Sequence, residues 1–124
     1  MRNVARPTLK RVDHRGTFIQ VLNGTPWRNL SYGRMKKHAV MGNHYHRRTT
    51  VFFFLSAGAA EISTIHVKTK RHTRVVLRAN QGLRLKPWEC HRIRYLKDSS
   101  FILVKSHPYR VSAPDTYSYD ADCD

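Results

Sequence analysis

Residues 42–58 read Gly42-Asn43-His44-Tyr45-His46-Arg47-Arg48-Thr49-Thr50-Val51-Phe52-Phe53-Phe54-Leu55-Ser56-Ala57-Gly58. A His-x-His pair is followed by a compact β-prone run, Val51 to Leu55, that Gly58 closes. Side chains alternate along a strand, so His44 and His46 share one face. Two imidazoles so placed can share one metal ion or one substrate. Phe52, Phe53 and Phe54 also alternate, so at least one of them should face the interior. His91 lies 45 residues beyond His46, after Pro87, at the start of a strand candidate. An antiparallel barrel could carry it across to the pair. Three imidazoles suit Zn, Fe, Cu or Ni. Among the eight histidines, His66 and His72 flank a basic turn and are expected at the surface.

Outward from this segment the chain reads as strands separated by turns. Arg11 to Leu22 is rich in β-formers, breaks at Gly16 and ends in Asn23-Gly24, a hairpin signal. Trp27 to Met35 alternates roughly. Glu61 to Val67 is stopped by the basic turn Lys68 to His72, and Arg74–Leu77 and Leu83–Leu85 flank Asn80-Gln81-Gly82. His91 to Leu96 alternates strictly, and Phe101 to Val104 is a short apolar strand. The alternation puts Arg92 and Arg94 on one face and Ile93 and Tyr95 on the other. If the arginines point inward, the interior is a cationic pocket; if outward, they are ordinary surface. No window shows a sustained 3.6-residue apolar period. Many short strands at close spacing predict an all-β sandwich or barrel. Residues 107–124 are loop-like.

The chain has 124 residues and a net charge of +15, one domain's worth. Its longest apolar run, Val51 to Leu55, is far below the roughly 20 residues a membrane-spanning helix needs, which argues against a helical membrane protein. The N-terminus lacks an apolar signal-peptide core. Two cysteines, Cys90 and Cys123, make no disulfide framework, so the expected setting is a reducing cytoplasm. The first 114 residues hold all 23 Lys and Arg and four of the eight acids, a net +19. Such an excess points to an anionic partner. No nucleic-acid-binding motif accompanies it, so nucleic acid ranks last among candidate partners and an anionic small molecule first.

Gly42-Asn43-His44-Tyr45-His46 with the strand ending at Gly58 resembles the first motif of the cupin superfamily: glycine, His-x-His, a Glu or Gln, then a hydrophobic strand closed by glycine. Lys86-Pro87-Trp88-Glu89-Cys90-His91-Arg92-Ile93 resembles the second, a proline turn followed by histidine. The gap from Gly58 to Pro87, about 28 residues, is normal for the family. Val12-Asp13-His14-Arg15-Gly16-Thr17-Phe18 resembles the first strand of sugar-modifying cupins. Together with Pro114-Asp115-Thr116-Tyr117, the layout is similar to the cupin domain that ends capsular-polysaccharide reductases, to sugar-nucleotide 3,4-ketoisomerases and, more distantly, to dTDP-4-dehydrorhamnose 3,5-epimerase. The likeness covers about residues 8–119.

The resemblance implies a small single-domain jelly-roll barrel over residues 1–119, with an acidic, frayed tail at 120–124. It also implies a homodimer and an active site in the barrel mouth. Two positions depart from the pattern. Val51 stands where the family has Glu or Gln, with Thr50 beside it pointing to the other face, and Trp88 stands where a glycine usually follows the proline. The ligand set is then His44, His46 and His91, and the expected cofactor is none or one divalent ion, Zn, Fe, Ni or Cu. The leading expectation is an isomerase or epimerase of a keto-sugar nucleotide or similar oxo-metabolite. In it His46 is the base, His44 its partner and Tyr32 a proton donor. Arg34, Arg92 and Arg94 would grip a diphosphate, and Trp88 would stack on base or sugar. The alternatives are a three-His metal-dependent oxygenase or lyase and a non-catalytic sugar- or anion-binding cupin.

Overall fold

The computed structural model describes residues 4–22 and 27–119. The Asn23-Gly24 turn, Cys123 and the 120–124 tail lie outside the described residues. Eleven strands follow one another: β1 (Leu9–Asp13), β2 (Gly16–Gln20), β3 (Asn29–Met35), β4 (Val40–Tyr45), β5 (Val51–Ala57), β6 (Ala59–His66), β7 (His72–Arg78), β8 (Gln81–Leu85), β9 (Glu89–Tyr95), β10 (Ser99–Lys105) and β11 (Tyr117–Ser118). Among the described residues there is no helix, and none long and apolar enough to cross a membrane. The run from Arg11 to Leu22 is part of a hairpin rather than one strand. Its turn, His14-Arg15, is stapled by the Arg15 guanidinium on Asp13 at 2.7 Å. The hairpin leaves Leu9, Val12 and Phe18 exposed.

Two antiparallel sheets face each other, one ordered β3-β10-β5-β8 and the other β11-β4-β9-β6-β7. The chain changes sheets between β5 and β6 at Gly58, whose backbone is left-handed (φ 95°) and where a Cβ would collide with Ser99 and the Asp98 carbonyl. Period-two alternation fills the space between the sheets in layers. At the closed end Tyr95, Ala60 and Leu77 align across β9, β6 and β7, followed by Ile93, Ile62 and Val75. Val51, Phe53, Leu55, Leu83, Leu85 and Phe101 oppose them. Phe53 stacks on Phe101 with ring centroids 5.5 Å apart. Phe53 is thus the inward member of the triple-phenylalanine run. Phe52 is buried on the other side against Gly82.

The next layer is polar, and a β-bulge puts it there. Along β4 and β9, Met41 pairs with Ile93 and Gly42 with Arg92, but His44 pairs with His91. Asn43 is the extra residue. Met41 points in and Gly42 out, so in a regular strand His44 would point out as well. The one-residue bulge returns His44 and His46 to the inner face. Its backbone is left-handed at Gly42 (φ 115°) and Asn43 (φ 61°), and a Cβ on Gly42 would sit 2.5 Å from the His91 carbonyl oxygen. Gly42→Ala is therefore expected to lower the unfolding free energy by roughly 2–3 kcal/mol, from steric clash plus a strained φ. Gly33→Ala, at an ordinary φ and 3.1 Å from the Phe101 ring, should cost less. Urea denaturation of the two variants checks the difference.

Candidate functional site

His44, His46 and His91 form one cluster inside the barrel. Ring centroids are 4.6 Å apart for His44–His91, 5.3 Å for His44–His46 and 5.7 Å for His46–His91. One ligating nitrogen from each lies within 4.8 Å of the others. His46 and His91 are buried and His44 is half-buried. Thr64 lies opposite His91 on β6, and its hydroxyl hydrogen-bonds the Thr73 hydroxyl.

The pKa of each imidazole is lowered, which favours the neutral form. Burial lowers the His44 pKa, helped by the charge of His46 and then of Lys105. Burial also lowers His46, against the opposing hydrogen bond from its ring to the Asp115 carbonyl. His91 is pushed down to about 3, by burial first and then by His44 and His46. The His91 Nδ1 is buried with no hydrogen-bond partner, and the Glu89 backbone opposes the lowering without cancelling it.

Asp115 fixes the end of the His-x-His strand. Its carbonyl oxygen lies 2.6 Å from His46 Nδ1. A carbonyl only accepts, so Nδ1 carries the proton and the Nε2 lone pair stays free. The Asp115 carboxylate meanwhile accepts the backbone N–H of Arg47, Arg48 and Thr49 and the Thr49 hydroxyl. Burial opposes its ionisation, but these donors outweigh it and hold its pKa at about 2.

One inward step beyond His91, where His66 on β6 pairs with Glu89 on β9, lies a cavity of about 600 Å³ that none of the three histidines lines. Arg71, Lys86 and Glu89 line it with His66, Thr69 and Thr73. Thr73 leads down to Thr64 beside His91. From the opposite sheet Lys105 enters on the inner face of β10, paired with Val51 on β5 and Asn29 on β3. Its charge reaches all three histidines.

Of the residues expected in the site, the structure brings together His44, His46 and His91 and leaves five outside. Arg92 and Arg94 alternate with the inward His91, Ile93 and Tyr95, so they point away from the barrel; Arg94 reaches Glu61 at 3.4 Å. Tyr32 is 80% exposed on β3, because its neighbour Gly33 takes the inner position against Phe101. Arg34 lies on the same outer side as Tyr32, beside Asp98 and Ser100. Trp88 stacks on Tyr45 at 5.7 Å, and Tyr45 faces outward because it alternates with the two histidines. Lys68 lies 4.0 Å over the Trp88 ring, so its faces are engaged within the protein. Trp88 takes a left-handed backbone (φ 68°) where the family has glycine, and its N–H donates to the His46 carbonyl. The cations that do line the cavity are Arg71 and Lys86, and Lys105 lies on the inner face of β10.

Lys105 was legible as the third inward term of Phe101, Leu103, Lys105. Asp115 stands in the Pro114–Tyr117 motif, but its role had no local signal, because its partners lie 66–69 positions away. In kind and closeness the three donors fit a divalent Zn, Fe, Ni or Cu ion on His44, His46 and His91, with the Asp115 carbonyl orienting His46 from behind.

Two facing antiparallel sheets with His-x-His on β4 and the third histidine on β9 define a cupin jelly roll. The model of the polysaccharide biosynthesis C-terminal domain family matches residues 11–117, and the chain belongs to that family. Among solved structures it is similar to the capsular polysaccharide assembling protein CapF from Staphylococcus aureus, with a TM-score of 0.72 and 22% identity over 91% of this chain. The chain spans about a third of CapF, 34% of its length. It is also similar to dTDP-4-dehydrorhamnose 3,5-epimerase from Sulfolobus tokodaii (TM-score 0.76, 19% identity, 88% of this chain and 72% of that one). A 3,4-ketoisomerase from Helicobacter canadensis matches with a TM-score of 0.76 and 17% identity, over 92% of this chain and 87% of that one. No curated protein matches the chain in sequence.

The neutral histidines make stability pH-dependent. In the unfolded chain His91 takes up its proton near the ordinary 6.5; folded, it resists to about 3. The folded-state pKa is depressed, so the stability is fully present above about 6.5 and is lost as pH falls below it. The Tm of chelator-treated protein should drop between pH 7.5 and 5. The drop should be smaller in His91→Gln, as differential scanning calorimetry would register.

Proposed function

We propose that this chain is an isomerase or epimerase of a keto-sugar nucleotide that works by proton transfer through histidine. The observation that carries the reading is the trio of clustered inward imidazoles, with a cavity bearing Arg71 and Lys86 one step further along the same strands. A proton on carbon next to a carbonyl is acidified. Its removal leaves an enolate, and its return to another carbon or to the other face of the same carbon completes the reaction with no net change in atoms. A neutral imidazole is the base this step needs near pH 7. His46 suits the role, because its Nδ1–H is committed to Asp115 and its Nε2 is free to accept. His44, 5.3 Å away ring to ring, is the group placed to share or return the proton. Arg71 and Lys86 suit a diphosphate, Arg71 through bidentate contact. Relatives of the same fold that are named as a 3,5-epimerase and a 3,4-ketoisomerase support this class of chemistry.

A metal-dependent second reading rests on the closeness of the three donor nitrogens. A divalent ion bound there would supply Lewis-acid polarisation of the substrate carbonyl. Near-stoichiometric metal in the purified protein that disappears in His91→Ala would favour it.

In D₂O, a 4-keto sugar nucleotide incubated with the protein should gain deuterium beside its carbonyl, read by mass spectrometry. His46→Gln should slow the exchange by about 100-fold or more. Absence of exchange with dTDP-, UDP- and GDP-linked 4-keto sugars alike would remove the isomerase reading.

We further propose a homodimer. Leu30 and Tyr32 on the edge strand β3 and Ile102 on β10 form an apolar outer face, 66%, 80% and 38% exposed. The hairpin adds the exposed Val12 and Phe18. A second copy would cover such surface. Light scattering should return twice the chain mass at micromolar concentration, and Leu30→Lys should shift it toward monomer.

A further inference from the structure

Lys105 is a charged group of the barrel interior that neither catalytic scheme above uses. Phe101 and Leu103 before it belong to or pack on the core, so alternation commits Lys105 to the inner face. It is half-buried, and burial lowers its pKa. Among the described residues it makes no ion pair. Burial is the one cause of its shift, with no acid contributing, and the acids closest to the histidines along the chain and the strands are engaged elsewhere. The Asp115 carboxylate holds the 47–49 backbone, and Glu89 Oε1 accepts the Lys86 N–H at 2.8 Å. Its cross-strand neighbour is Val51, 3% exposed and unable to neutralise it. A cation drawn into a barrel without a counter-charge costs desolvation that nothing in the protein returns. Its charge reaches the three imidazoles on the opposite sheet, one of which has a buried, unpartnered nitrogen.

We propose that Lys105 and the three histidines form a receptor for an anionic oxygen, and that Lys105 disfavours a divalent cation on those histidines. A negatively charged oxygen between the ammonium and the imidazoles returns what burial of the ammonium costs. A divalent cation in the same place adds like charge at short range in a poorly solvated interior. If the isomerase reading holds, the bound oxygen is that of the enolate, and Lys105 stabilises the charge that develops on it. The receptor itself stands without that reading.

The test uses metal-free full-length protein and two probes, inorganic phosphate and Zn²⁺. In the wild type, phosphate should shift the imidazole resonances of His44, His46 and His91 saturably. Lys105→Met should weaken this at least tenfold and Lys105→Arg should largely preserve it. Arg71→Ala separates phosphate held only in the mouth, which would leave the imidazoles unmoved. By calorimetry, Lys105→Met should bind Zn²⁺ at least tenfold more tightly than the wild type. The proposal is overturned if phosphate leaves the wild-type imidazoles unshifted, if Lys105→Met binds phosphate as well as the wild type, or if the wild type binds Zn²⁺ as tightly as the variant. The wild-type phosphate titration decides the matter even if Lys105→Met does not fold. Loss of deuterium exchange with phosphate binding intact would remove the isomerase and keep the receptor.

Discussion

The interior of this barrel depends on one extra residue. Asn43, paid out as a bulge against β9, changes the parity of β4 and turns His44 and His46 inward to meet His91. Gly42 makes the turn possible, because the His91 carbonyl occupies the place a side chain would take. Without that close approach the same strand would show its imidazoles to solvent and tuck Tyr45 inside. A binding centre and a surface patch are separated here by a single backbone irregularity.

Once the histidines face inward, the surroundings decide their chemistry. Burial strips them of protons, and Asp115 fixes which nitrogen of His46 is free. One aspartate thus does two structural jobs: its carbonyl orients the imidazole, and its carboxylate holds the loop that follows the strand. Where the family pattern has Glu or Gln there is Val51, and its cross-strand partner on β10 is a lysine. The charge balance of the interior is therefore the reverse of one arranged around a cation. Arg71 and Lys86 outnumber Glu89 in the lining of the cavity beyond, so the excess there is also positive.

The strands were readable in the sequence because alternation and glycine punctuation report local geometry. β5, β8, β9 and β10 lie within a few residues of their expected bounds, and the corner at Gly58 marks where the chain leaves one sheet for the other. The two-residue strand β11 was not readable, since it exists only by pairing with Tyr45 and His44. Face assignment was harder. Alternation told Arg92 and Arg94 from Ile93 and Tyr95 but could not say which pair was inside; packing on Ile62 and Ala60 settles it. Tyr32 was drawn into the expected site as a neighbouring-strand tyrosine, whereas Gly33 took the inner position. The three histidines were legible as a set because family spacing preserves them. Alternation marks Lys105 as inward and Asp115 stands in the Pro114–Tyr117 motif, but their action on the histidines crosses the barrel, and nothing local announces that.

The path the chain takes has a kinetic side. β4 finds β9 about fifty residues later, β3 finds β10 about seventy later, and His46 meets Asp115 across 69 positions. Contacts of such long range carry a large loop-closure cost and form slowly. The hairpins β6–β7 and β1–β2 can close early, but no part of the histidine centre lies within either. The centre assembles only when the penultimate strands and the segment around Asp115 are in place. A folding intermediate would carry the three imidazoles solvated and protonatable, so the passage from that state to the native one should itself slow as the solution is acidified.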